Sequence, residues 1–437
     1  MNTRLLLALC VLSFSSLQAA ERLMPQPLSL QQALDLALAY PGIQAADAKL
    51  SKAKAEALQI DAENDLNIDF EGQLRYVDPA PITPDRSNDD SKVFLRFSSE
   101  LYDFGYTAAR QQAADKQISS AEKALLSARQ QHLLKVAELF FNVLIADKEY
   151  VLIDEVMTAA FLDYDKLRER HELGTVSDVR LLELENDYRE KLQLRKQAEQ
   201  KQRMTRMLLA SAMAMPEQLP ADLIEPPVDW QKDLPDLAKI SAALNTDNPQ
   251  VLAASEAVEA ARAKLSAAES NDNPRLSANL QWADYQRETG STHPFEAGLV
   301  LNVPLYSGAR QQADQQLARA DLQEKEMALQ LVKMQAQEAA LQNILSLESY
   351  KSELDSLKVS ADYAELYLDK NRALYELEVA SSLKDALIKV SDVILKKIRA
   401  RLGYKLAEMK LAALQGQWQF DNNTVVSTTE NQNEKDN

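Results

Sequence analysis

The chain has 437 residues, a net charge of −17 and 6% aromatic residues. This length is sufficient for two or three average domains or for one large duplicated unit, and the negative charge argues against nucleic acid as a partner. The apolar residues are mostly alanine and leucine, which is typical of long helices and coiled coils. After residue 20 no apolar stretch is long enough for a transmembrane helix.

The first twenty residues have the pattern of a secretory signal peptide. Arg4 supplies the positive start, residues 5–14 are apolar, and Ala19 and Ala20 supply a small-residue cleavage site. The single cysteine, Cys10, lies within this segment. We therefore expect a mature chain without disulfides that is stabilised by packing.

Short helices begin each half of the mature chain. A helix capped by Ser29 is predicted over residues 30–62, with a break at Tyr40-Pro41-Gly42. The same unit recurs at Asn248-Pro249, where the asparagine caps and the proline takes the first helical position, and it ends near Ser270.

The hydrophobic period then changes from 3.6 to 2, which predicts strands. Four alternating segments form two β-hairpins with polar loops, at residues 67–77, 92–101, 275–282 and 295–305. A soluble sheet would pack its apolar face on a core, whereas a membrane barrel would turn it to lipid and leave a polar face to the lumen. The signal peptide and the strand lengths favour the barrel.

The two faces follow from the alternation. The residues expected to face the lumen are Asn67, Asp69, Glu71, Gln73, Arg75, Arg275, Ser277, Asn279 and Gln281. The residues expected to face lipid are Ile68, Phe70, Leu74, Leu276, Leu280, Trp282, Leu299 and Leu301. Four strands are too few to enclose a channel, and open edges are not tolerated in lipid. A barrel would therefore require several copies of the chain.

Two long arms without proline occupy residues 85–215 and 305–437. Because proline and glycine break helices, each arm is predicted to run as one long helix, turn, and return as a second. Heptad seams run from Val143 to His171 and from Leu347 to Tyr375, at a constant offset of 204 residues. The shared offset favours an internal duplication over two unrelated bundle helices.

The predicted organisation is therefore two repeats and a linker. Its segments are a signal peptide (1–20), a first repeat (21–215) with a β-hairpin (67–102) and a helical hairpin (106–213), a proline-rich linker (216–240), a second repeat (241–420) with its β-hairpin (275–305) and helical hairpin (309–415), and a disordered tail (421–437). The fold class is mainly α with a small β part. Because the three histidines are scattered, we expect no catalytic, cofactor or metal site.

Several short motifs occur in a characteristic order: Tyr40-Pro41, Leu-Tyr-x-x-Gly at 101–105, Gly174-Thr175-Val176-Ser177, Asn248-Pro249, and Leu-Tyr-x-Gly at 305–308. With these motifs the chain resembles the TolC-like outer-membrane efflux family as far as residue 415. The resemblance implies a homotrimer whose three copies of four strands form a 12-strand β-barrel in the outer membrane, above a periplasmic α-helical tunnel. It also implies a periplasmic adaptor and an inner-membrane ABC or proton-driven pump as partners.

The resemblance further implies a gate at the second arm's turn. Tyr375 stands at the position of a gating tyrosine, with Lys384 and Asp385 nearby, whereas Lys384 and Leu387 replace aspartates of TolC itself. From the heptad pattern alone, Tyr375 is equally the last residue of the seam. The residues implied to dock the adaptor are Gly174, Thr175, Val176, Ser177, Glu378 and Ser381.

The sequence thus predicts a passive export duct for efflux or type I secretion, and not an enzyme. The alternative is a periplasmic coiled-coil adaptor or scaffold without a barrel. The two β-hairpins discriminate between these hypotheses, because an adaptor needs neither lipid-facing alternation nor two copies of it.

Overall fold

Two successive series of helices and strands make up the chain. The computed structural model describes residues 24–83, 85–287, 292–377 and 382–418, so the predicted signal peptide and tail lie outside the described residues. The first series is α1 (Leu30–Ala37), α2 (Pro41–Ala62), β1 (Asn67–Gln73), β2 (Lys92–Tyr102), α3 (Tyr106–Glu172) and α4 (Asp178–Ala212). The second series is α5 (Leu237–Thr246), α6 (Pro249–Ser270), β3 (Arg275–Tyr285), β4 (Phe295–Asn302), α7 (Arg310–Glu376) and α8 (Leu383–Leu414).

The two series have the same element order, as a duplication requires. The caps behave as predicted: Ser29 and Gln32 form a capping box, and the Asn248 side chain accepts hydrogen bonds from two backbone N–H groups of α6. Helix α5 was not predicted from the sequence; it begins where Asp236 accepts a hydrogen bond from the backbone N–H of Ala238. With α5 included, the short helix α1 also has a counterpart in the second series.

The strands form one four-stranded antiparallel sheet in the order β1-β2-β3-β4. Pairing between β2 and β3 joins the two predicted hairpins into one sheet. The sequence pattern does not reveal this pairing. β1 ends at Gln73, before the predicted residue 77, and β4 ends at Asn302, two residues before Pro304, which has no N–H for a ladder. Within the described residues, β1 and β4 each have one edge without a partner strand.

The helices pack side by side in two connected rows. Close to the sheet the order is α2, α3, α6, α7, and farther from it the order is α4, α3, α8, α7. The main core lies where α1, α3, α4 and α8 meet and includes Leu133, Phe140, Leu209 and Leu402. Each arm thus consists of two antiparallel helices, α3 with α4 and α7 with α8.

The predicted seams coincide with the buried faces of the long helices. In α7 the residues Leu347, Leu354, Leu357 and Ala364 are buried, and in α3 Val143 and Ala146 are buried. Among the described residues, no helix is both long and apolar enough to cross a membrane.

Candidate functional site

The sheet register gives each face of the sheet a distinct chemistry. Residues directly paired across strands point to the same face, so Asp69, Arg96, Gln281 and Glu296 form one polar row. The other predicted lumen residues within strands share this face: Asn67, Glu71, Gln73, Arg275, Ser277 and Asn279. Arg75 lies beyond β1, where it forms an ion pair with Asp90 at 2.8 Å.

The opposite face is apolar. Ile68, Phe97, Leu280 and Ala297 form one cross-strand row of this face. The predicted lipid-facing residues within strands all fall on it: Ile68, Phe70, Leu276, Leu280, Trp282, Leu299 and Leu301. Leu74 lies beyond β1 and is exposed. The arrangement provides one polar wall and one apolar wall from a single sheet.

Phe94 is an apolar residue on the polar face that the sequence analysis missed. It is only 6% exposed, and the Arg96 guanidinium lies 4.7 Å from its ring centroid. Arg96 also donates hydrogen bonds to Glu71 and, at 3.0 Å, to Gln281. The position of Phe94 two residues from Arg96 was the available signal, because residues i and i+2 share a face.

A rigid turn joins the sheet to the first arm. The Asp103 carboxylate accepts hydrogen bonds from the backbone N–H groups of Gly105 and Thr107, at 3.2 and 2.5 Å. Gly105 has φ of 98°, a conformation that side chains disfavour. The ring of Tyr106 then lies 4.7 Å from the guanidinium of Arg275, at the start of β3. This network explains the glycine of the Leu-Tyr-x-x-Gly motif, which lies at the joint between the sheet and α3.

The tip of the first arm is a tight turn. Gly174 has φ of 73°, and the Thr175 hydroxyl donates a hydrogen bond to the Arg170 carbonyl at 2.7 Å. Across the turn, His171 Nε2 lies 2.6 Å from Asp178 Oδ1. Gly174, Thr175 and Ser177 are exposed and Val176 is half-buried. Three exposed apolar residues that the sequence analysis did not select flank them: Leu173, Val179 and Leu182.

The tip of the second arm bears on the two interpretations of Tyr375. Tyr375 is 65% exposed, so it is not packed against another helix of its own chain. The last buried seam residue is Asn371, which is 4% exposed; its Oδ1 accepts a hydrogen bond from the backbone N–H of Ser382 at 3.0 Å. Asn371 therefore fastens the end of α7 to the start of α8. The predicted docking residues Glu378 and Ser381 lie outside the described residues.

Lys384 forms an ion pair with the other arm of the same chain. Adjacent residues on a helix do not face each other, and Lys384 pairs with Asp163 on α3 rather than with Asp385. Close by, the ammonium of Lys389 lies 4.3 Å from the ring centroid of Tyr363 on α7. The Lys384–Asp163 pair connects the tips of the two arms within one chain.

Glu149 connects α3, α4 and α8 at a level between the tips of the arms and the sheet. Its carboxylate accepts hydrogen bonds from Lys201 on α4 and Arg399 on α8, both at 2.8 Å. Burial alone would raise the pKa of Glu149, but the two cations outweigh it and hold this pKa below its ordinary value. The arms are thus joined by ion pairs at this level as well as at the tips.

His132 lies beside the break between α1 and α2. Its ring stacks on Tyr40 at 3.9 Å between centroids, and Nε2 lies 2.9 Å from the Ala212 carbonyl at the end of α4. Burial lowers the pKa of His132 below its ordinary value of 6.5, and the contact with the Ala212 carbonyl opposes this only in part. The chain at the Tyr40-Pro41-Gly42 break therefore packs against His132 through the Tyr40 ring. A search of the described residues finds no cluster of metal-ligand side chains.

We expect His132 to make the protein less stable in mild acid. Because its pKa is lower in the folded chain, the unfolded chain binds the proton first, so stability present above pH 6.5 is lost as the pH falls below it. His132→Phe keeps the stacking and removes the titration. Melting temperatures at about pH 7.5 and about pH 5.5 should therefore differ less in this variant than in the wild type. His293→Gln, at an exposed position just before β4, is the control and should keep the wild-type difference. An unchanged difference in His132→Phe would contradict the assignment.

No protein-family model and no curated relative matches this chain. Solved structures do match it over most of its length. A membrane protein from Pseudomonas aeruginosa is 18% identical with a TM-score of 0.73, covering 91% of this chain and 92% of that one. The Campylobacter jejuni CmeC outer membrane channel is 14% identical with a TM-score of 0.74, covering 90% and 87%. The outer membrane protein VceC from Vibrio cholerae is 17% identical with a TM-score of 0.69, covering 89% and 96%. The chain therefore has the fold of TolC-like outer-membrane channels, which confirms the predicted fold class.

Proposed function

We propose that this chain is one protomer of a trimeric outer-membrane channel, a passive duct for efflux or type I secretion. The observation that carries the proposal is that the sheet and the helical rows of one chain end in unpaired faces on the same two sides. β1 and β4 are the edge strands of the sheet. α4 and α7 are the outermost helices of the row farther from the sheet. Repeated copies can therefore join β4 to β1 and α7 to α4 in one closed ring.

The sheet edges give the first support. Strand edges left open in lipid would leave backbone N–H and C=O groups without hydrogen bonds. Each such group costs on the order of several kcal/mol. Every residue of β4 is exposed in the isolated chain. Pairing of β4 with β1 of the next copy satisfies both edges. In a closed barrel the apolar face would be the one turned towards lipid.

The helical faces give the second support. One face of α7 carries exposed apolar side chains at heptad spacing, and those level with α4 are Leu345, Val359 and Leu366. α4 presents exposed apolar side chains of its own, comprising Leu194, Met204, Met207 and Leu208. Two helices with unpartnered apolar stripes at opposite ends of one row suit a contact between copies.

Charge supports the same pairing. Residues 348–376 of α7 contain seven acidic and four basic side chains, whereas residues 178–206 of α4 contain six acidic and eight basic ones. Joining α7 to α4 of the next copy therefore brings opposite net charges together. Joining α7 to α7 would bring like charges together, so the charges favour a head-to-tail ring over a two-fold dimer.

We infer that the arm tips hold the gate and the docking surface. The Lys384–Asp163 pair fastens the two arms together, and the exposed Tyr375 can project towards the axis where three copies converge. The exposed apolar residues beside Gly174, Thr175, Val176 and Ser177 suit a periplasmic adaptor, which would connect the duct to an inner-membrane pump. Glu378 and Ser381 are proposed for the same surface from sequence alone.

The alternative of a barrel-free periplasmic adaptor leaves the sheet unexplained. An adaptor in water would gain nothing from a four-stranded sheet with large exposed residues such as Phe70, Trp282, Phe295 and Leu299 on one face. Lipid accommodates that face without further protein.

Cell fractionation tests the proposal. We expect the protein in the outer-membrane fraction, and after detergent extraction we expect a mass of three chains by light scattering. The open edges of β1 and β4 are the reason, since they are satisfied only by further copies. Recovery as a soluble periplasmic monomer would favour the adaptor alternative.

A further inference from the structure

A hollow of about 700 Å³ lies on the apolar face of the sheet. Its floor consists of the small residues Ser99, Ala278 and Ala297. The register explains it: Ser99 pairs with Ala278, so two small side chains lie side by side in one cross-strand row. The larger side chains around this floor belong to Leu66, Phe97, Leu280 and Leu299.

The floor of the hollow is less polar than its sequence suggests. Ser99 is the one hydroxyl residue among the three floor residues, and its hydroxyl donates a hydrogen bond to the Asn64 carbonyl at 3.1 Å. Asn279 and Gly298 also line the hollow, but they belong to a row of the opposite, polar face. With the Ser99 donor satisfied, the apolar face offers methyl groups and the flanks of leucine and phenylalanine side chains. A hydrocarbon is the chemical class that such a lining holds.

The hollow lies in the half of the sheet nearest the helices. Leu66 directly precedes β1, and Ser99 is three residues before the end of β2, close to the start of α3. The paired residues Gln73, Lys92 and Tyr285 mark the opposite end of the strands. If the helices are periplasmic, as proposed, the hollow faces the inner leaflet of the outer membrane.

We propose that this hollow holds one acyl chain of a phospholipid from the inner leaflet, bound apart from the surrounding fluid lipid. The inference rests on the proposed function, because that function places this face in a membrane. A linear chain lying between Phe97, Leu280 and Leu299 gains contacts on several sides, which it lacks against a flat apolar wall. An unfilled hollow would leave those side chains without partner atoms, unlike the close packing of protein surfaces in contact.

Retained lipid in the purified, assembled protein tests the proposal. The full-length protein is extracted in detergent, washed until bulk lipid is removed, and analysed by native mass spectrometry with phospholipid quantified per chain. The wild type should retain about one phospholipid per chain, because a held chain dissociates more slowly than bulk lipid. Ala278→Phe fills the floor and should lower this value about tenfold. Val93→Phe adds the same ring to the same face near the loops and should retain the wild-type amount.

Each outcome bears on the proposal. Ala297→Leu adds less bulk at the same hollow, and it replaces Ala278→Phe if that variant does not assemble. Equal retention in the hollow variants and in Val93→Phe would overturn the inference, as would retention of lipopolysaccharide instead of phospholipid. A trimer in the outer membrane without retained lipid would overturn the inference alone. Absence of any outer-membrane trimer in the wild type would overturn the proposed function instead.

Discussion

Arginine at Leu280 is expected to abolish most assembled channel, whereas arginine at the adjacent Asn279 is expected to be tolerated. Leu280 lies on the apolar face, in a row with Phe97 and Ala297. A charge at that depth in lipid costs about 2–4 kcal/mol per site near the midplane. Three copies would carry the cost three times. Asn279 points to the polar face, where water can solvate an added guanidinium.

Gel-shift assays of outer membranes separate the two variants. The amount of heat-sensitive trimer in Leu280→Arg should fall well below that of Asn279→Arg, at equal synthesis of the chain. Asn279 is a better control than Gln281, because Gln281 accepts a hydrogen bond from Arg96 and an arginine there would face a like charge. Equal loss in both variants would mean that the faces are wrongly assigned.

Loosening the ion pair between the arms is expected to open the duct. Lys384 and Asp163 are partly exposed, and an exposed pair contributes at most about 1 kcal/mol. Removing it should shift the ratio of open to closed states by at most roughly fivefold per chain. Lys384→Ala and Asp163→Ala should therefore raise the mean conductance in planar bilayers to similar extents. The charge-swapped double variant, Lys384→Asp with Asp163→Lys, should return towards the wild-type conductance.

Removing the Tyr375 side chain is also expected to open the duct, in this case by removing bulk and not an ion pair. Because its side chain is mostly exposed in the isolated chain, Tyr375→Ala should raise conductance with little change in the thermal stability of the trimer. Asn371→Ala is the matched comparison one turn away: it removes the hydrogen bond to Ser382 and should lower stability. If Tyr375→Ala lowers stability and leaves conductance at the wild-type level, Tyr375 packs in a seam and the constriction lies elsewhere.

The sequence predicts what depends on local pattern. The absence of proline over 85–215 and 305–437 predicted the long helices, and α3 and α7 begin and end within two residues of the predicted limits. Period-2 alternation predicted which strand residues share a face of the sheet. The pattern also constrains the register, because a one-residue slip would exchange the two faces. The caps at Ser29 and Asn248 followed from residue type and spacing alone.

Contacts between distant segments were not predictable in the same way. The pairing of β2 with β3 and the ion pair of Lys384 with Asp163 depend on how the two halves pack. Gly403 is another example, because in sequence it is only a glycine inside a helix. In the structure the ring of Tyr350 from α7 occupies the space that a Cβ at Gly403 would need. No single-sequence periodicity encodes which distant side chain fills such a space.

The central claim is a closed ring of three copies. Disulfide cross-linking of β1 in one copy to β4 in the next tests it most directly. The single cysteine lies at position 10, in the predicted signal peptide, so introduced cysteines would be the ones available in the mature chain. Phe70→Cys on β1 is combined in turn with Ala297→Cys, Leu299→Cys or Leu301→Cys on β4, and the outer membranes are oxidised. If β4 of each copy pairs with β1 of the next, as proposed, at least one combination should give products of two and three linked chains, with the three-chain product as the upper limit. Products that extend beyond three chains, or no linked chains in any combination, would contradict a closed ring of three copies.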